Sequence, residues 1–289
     1  MSASQIVNRL KVGDTVLEAR AERASWIAWP RRADPFRVFK GADIRITVRR
    51  EPGPRPGRLL FDSGGVWKAH EQADGRLLFT FRVGRAIYKS VLIDRGITQG
   101  DVYFPRLRGG GPRSALQFPL DEMLFQQRWA REGQLEVHAC GVKDGKKVLL
   151  FAGHSGAGKS TTAKLWHESE PQSLILSDDR VLLDPRDRTS VRAFGTPWHG
   201  TGRFGLPAEA PLAALFFLEQ AKTSEAVRLR PAEAAARLFT RTFPPIWDRE
   251  ATQRVIDACG AVAERIPAFL LRFRRDRSAI DAARRASAG

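Results

Sequence analysis

Apolar and polar positions alternate in short bursts along the first third of the chain. Residues 43–49 (DIRITVR) alternate strictly, 75–83 (GRLLFTFRV) are rich in strand formers, and 87–93 continue the pattern. Between them, residues 51–57 (EPGPRPG) hold too many prolines and glycines for an element interior and are expected to be a loop. A β-rich N-terminal unit is predicted. Gly109, Gly110 and Gly111, followed by Pro112, read as the linker that leaves it.

Beyond the linker the period changes. Residues 119–129 place Leu120, Leu124 and Phe125 on one helical face, with Gly133 as the stop. Residues 135–142 (LEVHACGV) and 147–152 (KVLLFA) read as strands joined by Lys143, Asp144, Gly145 and Lys146, and Asp-Gly between apolar runs predicts a hairpin. A helix over 160–168 follows, then a strand over 173–177 that continues through 181–183, and a buried strand over 214–219. Helices over 232–242 and 250–264 are separated by Pro244 and Pro245, and a strand over 268–273 precedes a short terminal helix. The predicted class is α/β with α+β character, in two domains: 1–116, β-rich, and 117–289, mixed.

Composition narrows the function classes. With 43% hydrophobic and 28% charged residues the chain reads as globular. The longest near-continuous apolar run, 212–218, is far short of the ~18 residues a spanning helix needs, and the opening residues show no apolar signal region. No membrane association is expected, and the cytoplasm is the expected compartment. Two cysteines, Cys140 and Cys259, are too few for a disulfide framework or a cysteine-rich zinc site. The formal charge of +16 raises nucleic acid as a partner, but the excess is spread out: 24 basic against 14 acidic residues through position 133, and 24 against 18 after it. No long basic block occurs, so a solvated basic surface is preferred over a nucleic-acid site. Trp26, Trp29, Phe36 and Phe39 are expected to form a small core or a domain interface, with a binding surface as the alternative.

The chemistry concentrates after the hairpin. Gly153, His154, Ser155, Gly156, Ala157, Gly158, Lys159 and Ser160 fit G-x-x-x-x-G-K-[ST] without mismatch, with Thr161 next, between a predicted strand and a predicted helix. Glycines let backbone amides wrap an anion, and the helix adds the positive end of its dipole. Lys159 is expected on the β- and γ-phosphates and Ser160 on Mg²⁺, so a nucleoside triphosphate and Mg²⁺ are the expected ligands. Downstream, Ser177-Asp178-Asp179-Arg180 sets two carboxylates at the end of an apolar strand. One could hold Mg²⁺ and the other could accept a proton from an attacking hydroxyl; an Asx turn is the structural alternative.

In combination these residues resemble the HPr serine kinase/phosphorylase and ATP-dependent phosphoenolpyruvate carboxykinase superfamily, particularly its short kinase-like members. The resemblance rests on His138 in VHACGV, the hairpin into FAGHSGAGKSTTA, LSDDRVLL, and FGTPWHG over 194–200, and covers about residues 117–275. It implies a P-loop domain with a mixed sheet, its phosphate loop following an antiparallel hairpin strand. It further implies Asp178 and Asp179 as base and metal acids, with Asp179 beside Ser160 on the metal and the division of roles left open. His138 would lie beside the phosphates or serve as a core histidine. His199 would line the cleft or cap a turn, while Arg180 and Arg203 would neutralise γ-phosphate charge or lie on the surface. The implied activity is ATP-dependent transfer of the γ-phosphoryl group to a hydroxyl, with Ser on a protein or peptide as acceptor. A small-molecule kinase acting on free serine, and a nucleotide-gated binding module without phosphotransfer, are the alternatives. The resemblance also admits a homo-oligomer. A Glu-x-Arg-Gly counterpart is not evident, so reverse phosphorylase chemistry is not expected. The carboxykinase's oxaloacetate-binding features are likewise not evident, so net decarboxylation is not expected either.

Overall fold

A computed structural model of the chain describes residues 5–84, 86–105 and 114–288. Its contacts fall into two units, Met1–Arg128 and Trp129–Gly289. The predicted linker at Gly109, Gly110, Gly111 and Pro112 lies outside the described residues.

The first unit realises the alternating pattern as one mixed sheet. Its strands are β1 (Ile6–Val12), β2 (Thr15–Ala21), β3 (Ile44–Arg49), β4 (Arg58–Asp62), β5 (Trp67–Glu71), β6 (Leu77–Val83), β7 (Ala86–Ile93) and β8 (Gln99–Tyr103). They lie in the order β1-β2-β3-β8-β7-β6-β5-β4, in which β2, β3 and β8 run parallel and the other pairs antiparallel. Ile44, Ile46 and Val48 of β3 are buried while Arg45 and Arg49 are exposed, as period-2 patterning requires. Residues 51–57 form the expected irregular segment. The β1–β2 hairpin was not foreseen: its two-residue connection is Gly13-Asp14, with Gly13 at φ 60°. The aromatic group divides. Trp29 and Phe36 are buried as expected and Trp26 is half-buried, but Phe39 is 95% exposed, because it falls in the irregular stretch ahead of β3, where nothing packs over it.

Lys89 on β7 is an unusual core residue. It is 1% exposed, and its Nζ donates to the carbonyls of Ala115 (3.1 Å) and Gln117 (2.9 Å). Burial brings its pKa down to about 8 against the opposing charge of Asp121, and two carbonyls are the number a neutral amine can satisfy. Below pH 8 folded and unfolded chains both carry the charge. Between about 8 and the ordinary 10.5 the folded chain releases its proton first, so the stability contributed here rises with pH. Denaturant titrations should therefore show wild type gaining on Lys89→Met between about pH 7 and about pH 10; a difference that stays flat would contradict this assignment.

The helix α1 (Leu120–Glu132) runs across the boundary between the units, most of it in the first; the second unit contains β9 (Leu135–Asp144), β10 (Lys147–Ala152), α2 (Lys159–Ser169), β11 (Leu174–Ser177), β12 (Arg180–Asp184), β13 (Arg192–Gly195), β14 (Glu209–Gln220), β15 (Glu225–Arg228), α3 (Pro231–Phe239), α4 (Arg249–Arg265), β16 (Ala268–Phe273) and α5 (Arg277–Ala288). The strand order is β10-β9-β12-β13-β14-β16-β15, with β11 also on β9 and β10 also on β14. β9 and β10 form the predicted antiparallel hairpin, and on its other side β10 runs parallel to β14, which runs parallel to β16. The class is mixed α/β: two mixed sheets and few helices.

Alternation along β10 sorts two cores. Val148, Leu150 and Ala152 join a cluster with Leu238 of α3 and Val255 and Val262 of α4, whereas Leu149 and Phe151 join one with Trp166 of α2 and Ile280 of α5. In the second cluster the rings of Phe151, Phe216 and Phe269 stack at 5.2 and 5.4 Å. No helix among the described residues is long and apolar enough to cross a membrane.

Candidate functional site

The glycine-rich segment joins the end of β10 to the start of α2, as its motif requires. Gly158 is the N-cap of α2 at φ 113°, a left-handed conformation, and a Cβ there would stand 2.7 Å from the Phe273 ring. The loop is braced from outside by Gln220, whose Nε2 donates to the Gly156 carbonyl at 2.9 Å. Ser155, Gly156, Gly158, Lys159, Ser160 and Thr161 line a cavity of about 340 Å³ together with His138, Asp179, Gly200 and Thr201. Gly153, His154 and Ala157 are not in the lining; Ala157 is buried and its amide donates to the His154 carbonyl at 3.1 Å. Lys159 is 6% exposed, with Nζ donating to the carbonyls of Gly153 (2.9 Å) and His154 (3.0 Å). Burial lowers its pKa, the Asp179 charge works against that shift, and Arg180 and Arg241 reinforce it.

The two acids sit where β11 gives way to β12. Both strands pair with β9, and after an irregularity between Ile175 and Ser177 the register resumes at Arg180↔His138. The Ser177 hydroxyl accepts the amides of Asp179 and Arg180, both at 3.2 Å, so the bend keeps its backbone donors satisfied. This places Asp179 beside His138, and the environments of the two acids differ sharply.

Asp178 is fully buried and accepts four hydrogen bonds. They come from the Ser160 hydroxyl (2.8 Å) and from the amides of Gly200 (2.9 Å), Gly202 (2.7 Å) and Phe204 (3.3 Å). A carboxylate has about four lone-pair sites, so this one is saturated. The close wrap requires glycine, since a Cβ on Gly202 would lie 2.6 Å from Asp178 Oδ2. Asp179 lines the cavity instead, with Oδ1 2.9 Å from His138 Nε2 and Oδ2 accepting from Arg180 at 2.7 Å. Burial pushes its pKa up, but the His138 hydrogen bond and the charges of Arg180, His138 and Lys159 outweigh that and hold it below the ordinary carboxylate value. The carboxylate that meets Ser160 directly is therefore Asp178, while Asp179 shares the cavity wall with Ser160. With its lone-pair sites filled, Asp178 has none to give a cation, whereas the Ser160 hydroxyl lines the cavity as a hard oxygen donor of the kind that suits Mg²⁺, an ion that takes few protein ligands and completes its shell with phosphates and water.

The remaining expected residues separate. Arg180 is committed to Asp179 and stacks at 4.4 Å over Phe243, whose ring also lies 6.2 Å from that of His138. His199 is half-buried with Nδ1 3.0 Å from its neighbour's carbonyl, Gly200 O, and it does not line the cavity. Arg203 is exposed at φ 60° in the turn that the Gly200 carbonyl closes at 3.2 Å. Cys140 is wholly buried on β9, and burial first, then the Asp178 charge, pushes its thiol far up, so it packs as a neutral group. Sequence reading missed the amide clamp of Gly200, Gly202 and Phe204, and also Thr201, Arg241 and Phe243. The Gly-x-Gly spacing after His199 was a visible signal for the clamp; Arg241 gave none in a chain with 38 arginines. Compared with models of known families and with curated proteins, the chain matches no family model and no curated protein.

Proposed function

We propose that this protein is an ATP-dependent kinase that transfers the γ-phosphoryl group to a hydroxyl, with Ser on a protein or peptide as acceptor, and that its second unit is a P-loop domain of the HPr kinase/phosphoenolpyruvate carboxykinase type. The observation that carries the reading is the split of the Asp pair: one acid behind Ser160, the other on His138, across one cavity from the glycine-rich loop. The pairing of β10 with antiparallel β9 and parallel β14 supports the same fold type.

On this reading the loop amides and Lys159 hold the triphosphate, with Thr161 at the cavity wall. Mg²⁺, when bound, neutralises phosphate charge, and Ser160 would hold it, kept in orientation by Asp178, which takes the hydroxyl proton and leaves the Ser160 oxygen lone pairs for the ion. Asp179 is the base. It orients the acceptor hydroxyl in line with the γ-phosphorus and receives its proton, aided by His138 on the same carboxylate. The new bond joins the acceptor oxygen to the γ-phosphorus, the bond to the β–γ bridging oxygen breaks, and ADP leaves. Arg180 and Arg241 add positive charge beside Lys159, where the γ-phosphoryl charge spreads.

The test is transfer of label from γ-labelled ATP with Mg²⁺ to a cell extract separated into macromolecular and small-molecule fractions. Label on a protein or peptide, recovered as phosphoserine, is the expected result. Label confined to the small-molecule fraction would move the acceptor to a metabolite such as free serine. ATP binding with no transfer to either fraction would favour a nucleotide-gated binding module.

A further inference from the structure

The first unit carries a second cavity, of about 470 Å³, that the proposed chemistry does not use. Its origin is a mismatch in strand length. β3 keeps β2 as a neighbour only as far as the pair Arg20↔Thr47, while on its other side it stays paired with β8 to Arg49↔Tyr103. Past Thr47 one flank of β3 is therefore open, and β2 turns away into the 3-10 turn Ala24–Ile27. The cavity opens there, past the carboxyl ends of β2 and β3.

Its lining is basic and aromatic. Arg23 lies 5.8 Å over the Trp26 ring, Trp26 meets Phe104 edge-on at 5.9 Å, and Arg50 lies 4.2 Å over Phe104. Arg49 is held by Asp101 at 2.8 Å, but the guanidinium groups of Arg23 and Arg50 have no hydrogen bond or ion pair among the described residues. The two acids of the lining, Glu22 and Glu51, are both exposed and pair with neither guanidinium. Aromatic faces thus support two cations and leave their N–H forks unspent, an arrangement suited to bidentate capture of carboxylates.

We infer that this cavity is a docking site for an acidic peptide segment of a partner protein, its carboxylates on Arg23 and Arg50 and an adjacent apolar side chain on Trp26. Charge complementarity identifies the occupant: the pair of free guanidiniums is the site's unspent hydrogen-bonding capacity, and the chain as a whole stands at +16. The inference concerns the first unit and does not depend on the reading of the nucleotide site.

The test is calorimetric titration of the full chain with acetyl-Glu-Glu-Phe-Glu-Glu-amide, with the glutamine and lysine analogues as comparisons. Wild type should bind the glutamate peptide, more weakly as salt rises. Arg23→Gln/Arg50→Gln should weaken it at least about tenfold, and Arg23→Glu/Arg50→Glu should shift preference to the lysine peptide. Lys159→Ala should bind it as wild type does. Equal binding of the glutamine peptide, an unchanged double variant, or loss of binding in Lys159→Ala would each overturn the proposal, the last by moving the peptide to the glycine-rich loop. A defect in nucleotide binding would count against the kinase reading alone.

Discussion

Asp179→Asn should lower the phosphoryl-transfer rate by about 10²–10⁴-fold, the range a positioned base supplies, while ATP affinity changes little. The reason is geometric. Asp179 is the member of the acid pair that lines the cavity, and asparagine keeps its shape while removing the charge that orients and deprotonates the acceptor. Single-turnover transfer measured beside nucleotide binding checks this; a variant that transfers at the wild-type rate would take the base role away from Asp179. The pH profile adds a sign. A base must be ionised, so activity falls as pH drops through its pKa, and that pKa lies below the ordinary 3.8. Asp179 should therefore contribute no acidic limb near neutrality. Arg180→Leu removes one of the groups that lower the pKa and should move the limb upward.

Asp178→Ala should act on stability first. It strips one acceptor from four donors at a fully buried position, and orphaned buried donors cost about 1–3 kcal/mol each before relaxation. A loss of about 3 kcal/mol or more is expected, seen as a Tm lower by about 10 °C. Asp178→Asn should not rescue it, because one oxygen becomes an NH₂ group facing N–H donors. Asp179→Asn should lower Tm by less, since it gives up the attraction to His138 and Arg180 but orphans no clamp of buried amides. Thermal unfolding of the three variants side by side checks the contrast, and similar Tm values for the Asp178 and Asp179 variants would refute the division of roles between two adjacent carboxylates.

That division was not legible in the sequence, although the pair itself was. Two neighbouring aspartates at a strand end advertise a site, but what distinguishes them is contributed by Gly200, Gly202 and Phe204, 22 to 26 residues away, and by His138 on another strand. The glycine-rich loop was readable because everything it needs is contiguous: the Asp144-Gly145 hairpin, the buried strand β10, the glycines and the first turn of α2. Elements with weak local signals escaped. β4, β13 and β15 have four or five residues each and are specified by their neighbours in the sheets rather than by their own pattern. The β1–β2 hairpin was hidden because its polar positions interrupt the apolar ones; Glu18 on β2 is 3% exposed, held by Arg9 and Arg20. The same arginine abundance concealed Arg241 and made Arg180 unreadable as the partner of Asp179.

The claim on which the account turns is that the cavity beside Lys159 receives a nucleoside triphosphate. Calorimetric titration of the purified protein with ATP, with and without Mg²⁺, tests it most directly, using Lys159→Ala as the comparison. The account predicts saturable binding of one ATP per chain, tighter with Mg²⁺ and weakened at least about tenfold in the variant, since a charged hydrogen bond to phosphate contributes about 1.5–3 kcal/mol. No binding by the wild-type protein, or equal binding by the variant, would contradict it.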